Sequence, residues 1–125
     1  MAVQTPGINI GICTAAADLS AQQFRAMRVT GDFQVNVANA AGQAVIGILQ
    51  NKPTSGQSAD VMMAGVSKAI AGAAIAAGAE VMAGADGRII TAATAGSNVI
   101  GIALNAAGNA NEIISVALNA GAAIV

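Results

Sequence analysis

Residues 24–39 read Phe24-Arg25-Ala26-Met27-Arg28-Val29-Thr30-Gly31-Asp32-Phe33-Gln34-Val35-Asn36-Val37-Ala38-Asn39. In the second half Phe33, Val35 and Val37 alternate strictly with Gln34 and Asn36, which is the two-residue period of a strand with one buried and one wet face. Thr30-Gly31-Asp32 supplies a turn in front of it, and Phe24 to Thr30 is a second β-type run. Two such runs around a turn predict a β-hairpin.

The same pattern extends in both directions. Toward the N-terminus, Ile8 to Thr14 is an apolar run that follows Pro6-Gly7. Toward the C-terminus, strands are expected at Ala44 to Gln50, Ala59 to Ala64 and Val66 to Ala71, with Asn51-Lys52-Pro53-Thr54-Ser55-Gly56 as a loop. Glu80 to Ala83 and Arg88 to Ala92 flank Gly84-Ala85-Asp86-Gly87, whose Asp-Gly pair is a strong hairpin signal. Val99 to Leu104 and Glu112 to Leu118 complete the series, and the tail Gly121 to Val125 is apolar. Ala73 to Ala79 could form a single helical turn, because Ala is the best helix former, although Gly72 and Gly78 bracket it tightly. Short strands and frequent turns predict an all-β fold, a small β-barrel or β-sandwich with at most one short helix.

An internal similarity organises the chain. Ala41-Gly42-Gln43-Ala44-Val45-Ile46-Gly47-Ile48 aligns with Ala95-Gly96-Ser97-Asn98-Val99-Ile100-Gly101-Ile102, and Gly56 to Met62 aligns with Gly108 to Ile114, which matches Asp60 with Glu112. These strand–loop–strand units, 41–64 and 95–118, predict pseudo-symmetry. Gly47 and Gly101 interrupt strands, where a bulge or a close backbone approach is expected. Residues 1–14 are read as an N-terminal arm and first strand, and 15–125 as a single β-rich domain.

Composition excludes much chemistry. Of 125 residues 32 are Ala and 15 are Gly, 55% are hydrophobic and 9% charged, and the chain has no His, Trp or Tyr. A His-based triad cannot be built, and the lone Cys13, in an apolar run, reads as a small buried hydrophobe. One thiol and scattered carboxylates do not make the usual zinc set, and no metal or other cofactor is expected. A net charge of −1 offers no footprint for nucleic acid or an anionic membrane. The longest fully apolar stretch, Ala69 to Ala79, is too short for a membrane span. Residues 1–7 lack the basic and apolar regions of a signal peptide, so export by that route is not expected. Gly72 to Gly78 has the spacing of two P-loop glycines, but Ala79-Glu80 follows where Lys and Ser/Thr are required.

The charged residues are scattered and read as turn and edge solubility. Asp60, Glu112 and Lys68 are the set from which an enzyme or ligand-binding module would have to be built. Arg25 and Arg28 are candidates for intersubunit salt bridges. A typical soluble surface is about 25 to 35% charged, so a large share of this surface is expected to be covered by sister subunits or a scaffold. The uncharged arm residues Ala2, Val3, Gln4, Thr5 and Pro6 could add as an extended strand to a partner's sheet edge.

The run Asp18-Leu19-Ser20-Ala21-Gln22-Gln23-Phe24, the elements Ile46-Gly47-Ile48-Leu49-Gln50-Asn51 and Pro53 to Gly56, Gly65-Val66-Ser67-Lys68-Ala69, Gly72 to Gly78 and Ile100-Gly101-Ile102-Ala103-Leu104 occur in an order and spacing that resemble the capsid cement, or head decoration, proteins of tailed bacteriophages. The resemblance covers nearly the whole chain. It implies a small β-rich homotrimer, made in the host cytoplasm and carried on the outer surface of the virion, that binds the expanded head and clamps neighbouring major capsid protein subunits. It implies no catalysis and transfers no site residue. The capsid-contact candidates are therefore Ala2 to Pro6. The alternatives are a structural subunit of another viral or shell assembly, and a small β ligand-binding module or enzyme.

Overall fold

A computed structural model describes residues 2–92 and 97–124, without the side chains of 119–124. The Ala95-Gly96 start of the second repeat unit and the terminal Val125 lie outside the described residues. Among the described residues nine strands form one antiparallel-rich sheet: β1 (Ile8–Ala15), β2 (Ala26–Gly31), β3 (Gln34–Val37), β4 (Gly47–Leu49), β5 (Ser58–Ile70), β6 (Glu80–Ala83), β7 (Ile89–Thr91), β8 (Asn98–Ala103) and β9 (Ile113–Ile124). The all-β class expected from the alternation is the one observed. There is no helix among the described residues, and the Ala73 to Ala79 segment is instead a loop pinned by a bridge between Ile75 and Ala107.

The sheet runs β1-β3-β2-β4-β5-β9-β8-β6-β7, and β1 also pairs with β5. The first five strands therefore close into a ring. The second ring, β5-β9-β8-β6-β7, is drawn shut by a parallel bridge from Ala71 to Ile89. β5 serves both, with Ser58 to Ala64 facing β1 and Ala64 to Ile70 facing β9. Two separate strands were expected here. They are one strand because Gly65, at φ 115, bends the backbone without breaking it, a conformation that L side chains rarely adopt.

The two rings share one wiring. Met27↔Val37 of the first recurs as Val81↔Thr91 of the second, and Met27↔Gly47 recurs as Val81↔Gly101, each residue 54 positions on. The parallel pair Ala15↔Val35 recurs as Ala71↔Ile89. Leu49↔Val61 recurs as Ala103↔Val116, a shift of 54 on one strand and 55 on the other. Side-chain bonds repeat as well: Asn51 Oδ1 accepts from Asp60 N, and Asn105 Oδ1 accepts from Ser115 N. The residue standing where Asp60 stands is thus Ser115 and not Glu112, because sequence matching slips by three on the last strand.

Packing follows the wiring. Cys13, Ala15, Leu19, Met27, Val35, Leu49, Ala59 and Val61 fill the first ring. Their counterparts Ala69, Ala71, Ile75, Val81, Ile89, Ala103, Ile114 and Val116 are all buried in the second. Backbone signs repeat too, with Phe24, Phe33 and Asn111 at positive φ opposite Gly78, Gly87 and Gly56. A Cβ on Gly47 would lie 2.0 Å from Met62 O, and one on Gly101 2.2 Å from Ala117 O. Both strands need glycine where a neighbouring carbonyl crosses them.

One detail departs from the alternation of residues 33–37. Phe33, at φ 54, belongs to the turn and is exposed, while Val35 alone of the three is fully buried. A left-handed residue leaves the strand's pleat, so its side chain no longer follows the two-residue period.

Candidate functional site

The N-terminal arm is laid across its own body. Val3 N donates to Ser115 Oγ at 2.5 Å, and that hydroxyl donates back to Val3 O at 2.7 Å. Lys68 N donates to Gln4 Oε1 at 3.1 Å, Thr5 N donates to Val66 O at 3.1 Å, and Val66 N donates to Thr5 Oγ1 at 3.3 Å. The arm thus covers the edge of β5 that β1 leaves free. It crosses β5 where Gly7 and Gly65 meet, so closely that a Cβ on Gly7 would lie 2.2 Å from Ala64 O. Two glycines back to back make the crossing sterically possible.

Between arm and body lies a groove of about 420 Å³, lined by Gln4, Thr5, Pro6, Gly7, Asn9 and Met62. Met62 is buried. Asn9 Nδ2 donates to Asp60 Oδ1 at 3.1 Å. The lining mixes the neutral amides of Gln4 and Asn9 and the Thr5 hydroxyl with the apolar Pro6 and Met62, which suits an uncharged peptide segment better than an ion. Val3 to Gly7 are exposed and Ala2 is half-buried, so an arm tied down through its backbone still faces solvent. No sequence signal reports this docking, because the bonds to β5 and β9 are made by partners 61 to 112 residues away.

Arg25 and Arg28 both bond carbonyls of their own chain. Arg25 Nη1 donates to Asp86 O at 3.1 Å, where the β6–β7 turn leans on β2, and Arg28 Nε donates to Val37 O at 3.0 Å. Neither guanidinium reaches a carboxylate among the described residues, where the single ion pair joins Arg88 Nε and Asp86 Oδ2 at 2.7 Å. Partial burial works against the Asp86 charge, but bonds from Arg88 N and its guanidinium, with the charges of Arg88 and Arg25, outweigh it and hold the carboxyl below the usual range. Asp18 is also held low, by hydrogen bonds from the Ser20 hydroxyl and backbone, against a slight opposing effect of desolvation.

The carboxylates from which a catalytic site would have to be made have separate partners. Asp60 bonds Asn9, whereas Glu112 accepts from Gly108 N at 3.1 Å and from Asn109 Nδ2 at 3.5 Å. Lys68 lies opposite Ser115, under the arm. Among the described residues no three His, Cys, Asp or Glu side chains are grouped to hold a metal ion, and no helix is long and apolar enough to cross a membrane. Cys13 is buried and free.

What the sequence did not reveal is where the apolar surface goes. Ile8 and Ile12 on β1 and Val29 and Phe33 around the β2–β3 turn are 55 to 68% exposed, and Ile102, Leu104 and Ile113 are 45 to 52% exposed on the second ring. Where such side chains adjoin one another, apolar surface marks an interaction site.

The family model described as phage cement protein matches residues 4–118. The crystal structure of the head fiber gp8.5 N base in bacteriophage phi29 has the same fold, with a TM-score of 0.69 over 89% of this chain and 92% of that chain, at 19% sequence identity. No curated protein matches the chain.

Proposed function

The chain belongs to the phage cement protein family, and from that membership we propose that it binds the exterior of the expanded phage head as a homotrimer and clamps neighbouring major capsid protein subunits. Membership makes it a capsid-associated structural protein of the virion. The finer reading rests on the family and on the exposed apolar surface distributed over both rings. A ligand that binds only the assembled lattice shifts the equilibrium against its disruption, and many copies act together through multivalency. Neither effect asks for catalysis.

The contact to the capsid is assigned to Ala2, Val3, Gln4, Thr5 and Pro6, with the groove beside them. Residues 3 to 7 are exposed, while the arm's backbone and the Gln4 and Thr5 side chains are already bonded to β5 and β9, which lowers the ordering cost of binding. Arg25 and Arg28 are assigned to salt bridges between subunits, made with the guanidinium donors that their own carbonyls leave free. The experiment is co-sedimentation with undecorated capsids. The whole chain should pellet with them, and deletion of residues 2–6 should abolish pelleting. Because that deletion also removes bonds to Ser115, a Val3→Glu, Pro6→Glu variant, which keeps the backbone bonds, is tested beside it. Unchanged binding by both variants removes the arm from the contact, and a full chain that ignores capsids overturns the decoration role.

A further inference from the structure

We propose that copies of this chain associate head to tail, repeating between molecules the contact that joins the two rings within one. The proposal deepens the homotrimer part of the function proposed above by naming the two faces that meet.

Inside the chain, Ala26, Ile48 and Met62, on the outer side of the first ring, lie in one buried cluster with Ala83 and Leu118 at an end of the second. Backbone bonds seal the junction, among them Ala26 N donating to Gly87 O and Gly42 N to Ala83 O, both at 2.8 Å. The turn at Gly87 presses so closely on Val37 and Arg25 that a Cβ there would lie 2.4 Å from Val37 Cγ2.

The shared wiring places a second, empty copy of each half of this junction at opposite ends of the molecule. The counterparts of Ala83, Leu118 and Gly87 are Val29, Met63 and Phe33, by the registers that relate β6, β9 and the β6–β7 turn to β2, β5 and the β2–β3 turn. Ala83 is 0% and Leu118 6% exposed, whereas Val29 is 55%, Met63 36% and Phe33 64% exposed. At the other end the counterpart of Ile48 is Ile102, and exposure rises from 0% to 45%. Large apolar side chains therefore stand open where the in-chain junction covers its own. The outer face of one copy's second ring fits the open end of the next copy's first ring.

A contact between two different faces is heterologous, and it ends only by closing into a ring or by running on as a fibre. In a trimer it closes, placing six β rings in a circle. Ala79 stands at the counterpart of Arg25, so the bond to the turn carbonyl is missing, and Glu80, at the counterpart of Ala26, comes beside Asp32. The contact between copies is thus the weaker version of the junction within the chain.

The test uses the free, full-length protein and two variants at exposed positions, Phe33→Asp and Ile102→Asp. Asp tolerates the left-handed backbone at residue 33. Masses are read by sedimentation, with circular dichroism and melting curves confirming that both variants fold. The unmodified chain should sediment as a closed oligomer and each variant alone as a monomer. A one-to-one mixture should form a dimer, because the Phe33→Asp chain keeps its second-ring face and the Ile102→Asp chain keeps its first-ring end. A monomeric unmodified chain, variants that keep the oligomer mass, or a mixture that stays monomeric would each overturn the proposal. The masses are measured without capsids, so failure of capsid binding leaves them untouched and the two readings fail separately.

Discussion

Leu19 is 1% exposed and lies within the first ring, its N–H donating to Pro53 O at 2.9 Å. Replacing it with Ala removes three carbons, about 2.4 kcal/mol of transfer free energy at roughly 0.8 kcal/mol each. The surrounding strands are tied into a closed ring by the β1–β5 pairing, and Ala15 and Ala59 of the same cluster have no side chain to swing into the space, so the walls have little freedom to collapse. A residual cavity then raises the cost to about 3 to 4 kcal/mol, within the range seen for buried Leu→Ala changes. With an unfolding entropy of about 2.1 cal/mol/K per residue, a chain of 125 residues loses roughly 4 °C in Tm per kcal/mol, so Leu19→Ala should melt about 12 to 16 °C lower. Ile75→Ala, at the counterpart position and 3% exposed, should cost about the same. Thermal melting by circular dichroism, supported by calorimetry, reads both. Each melt should remain one transition, because β5 runs through both rings and neither can come apart without it. A loss under about 5 °C for Leu19→Ala would refute the role of that side chain as a filler of the first ring, and two resolved transitions would refute the shared strand as the source of cooperativity.

Gly47→Ala and Gly101→Ala each drive a methyl into a neighbouring strand's carbonyl and should cost at least about 2 kcal/mol, against about 1 kcal/mol for Gly56→Ala, where strain is confined to a φ of 82 and no atom lies within 4 Å; chemical denaturation ranks the three, and an equal ranking contradicts the crossing geometry. Ser115→Ala removes both side-chain bonds that hold Val3 and should raise protease cleavage before Gly7 while changing Tm by no more than about 4 to 6 °C, as expected for the loss of about 1 to 1.5 kcal/mol. Since the Asp86 carboxyl is held low in the folded chain, its contribution is present above the unfolded pKa of about 3.9 and is lost as pH falls through the lower folded value. Asp86→Asn should therefore be less stable than the unmodified chain at pH 7, by under about 1 kcal/mol because the pair is half exposed, and the gap should close below about pH 4; a gap that persists at pH 2 contradicts this assignment.

Much of the fold is local chemistry and can be read from the chain. The runs at Ile8, Val35 and Ile89 declare strands by period and by β-branched content, and Asp86-Gly87 declares its hairpin because only a short list of residues accepts a positive φ. The poverty of ionisable side chains, with no His in the chain, is likewise plain from composition and leaves few groups from which a catalytic site could be built. The repeat is visible as Val-Ile-Gly-Ile at two places, yet its last strand is matched three residues out of register. Ala, Ser and Gly fit either face of a strand, so only the ladder of backbone bonds decides which residue opposes which.

What the tertiary structure alone decided concerns partners far apart in sequence. That β5 is one bent strand shared by two rings follows from Gly65 meeting Gly7, and the arm is docked because Ser115 happens to lie beneath Val3. The same holds for surface. Ile48 and Ile102 look alike in the sequence and occupy equivalent places, but one is sealed beneath the second ring and the other faces outward. Local pattern specifies that a side chain prefers burial; which of two equivalent positions is covered depends on whether the fold brings another face against it, and that is set by contacts between residues far apart in the chain.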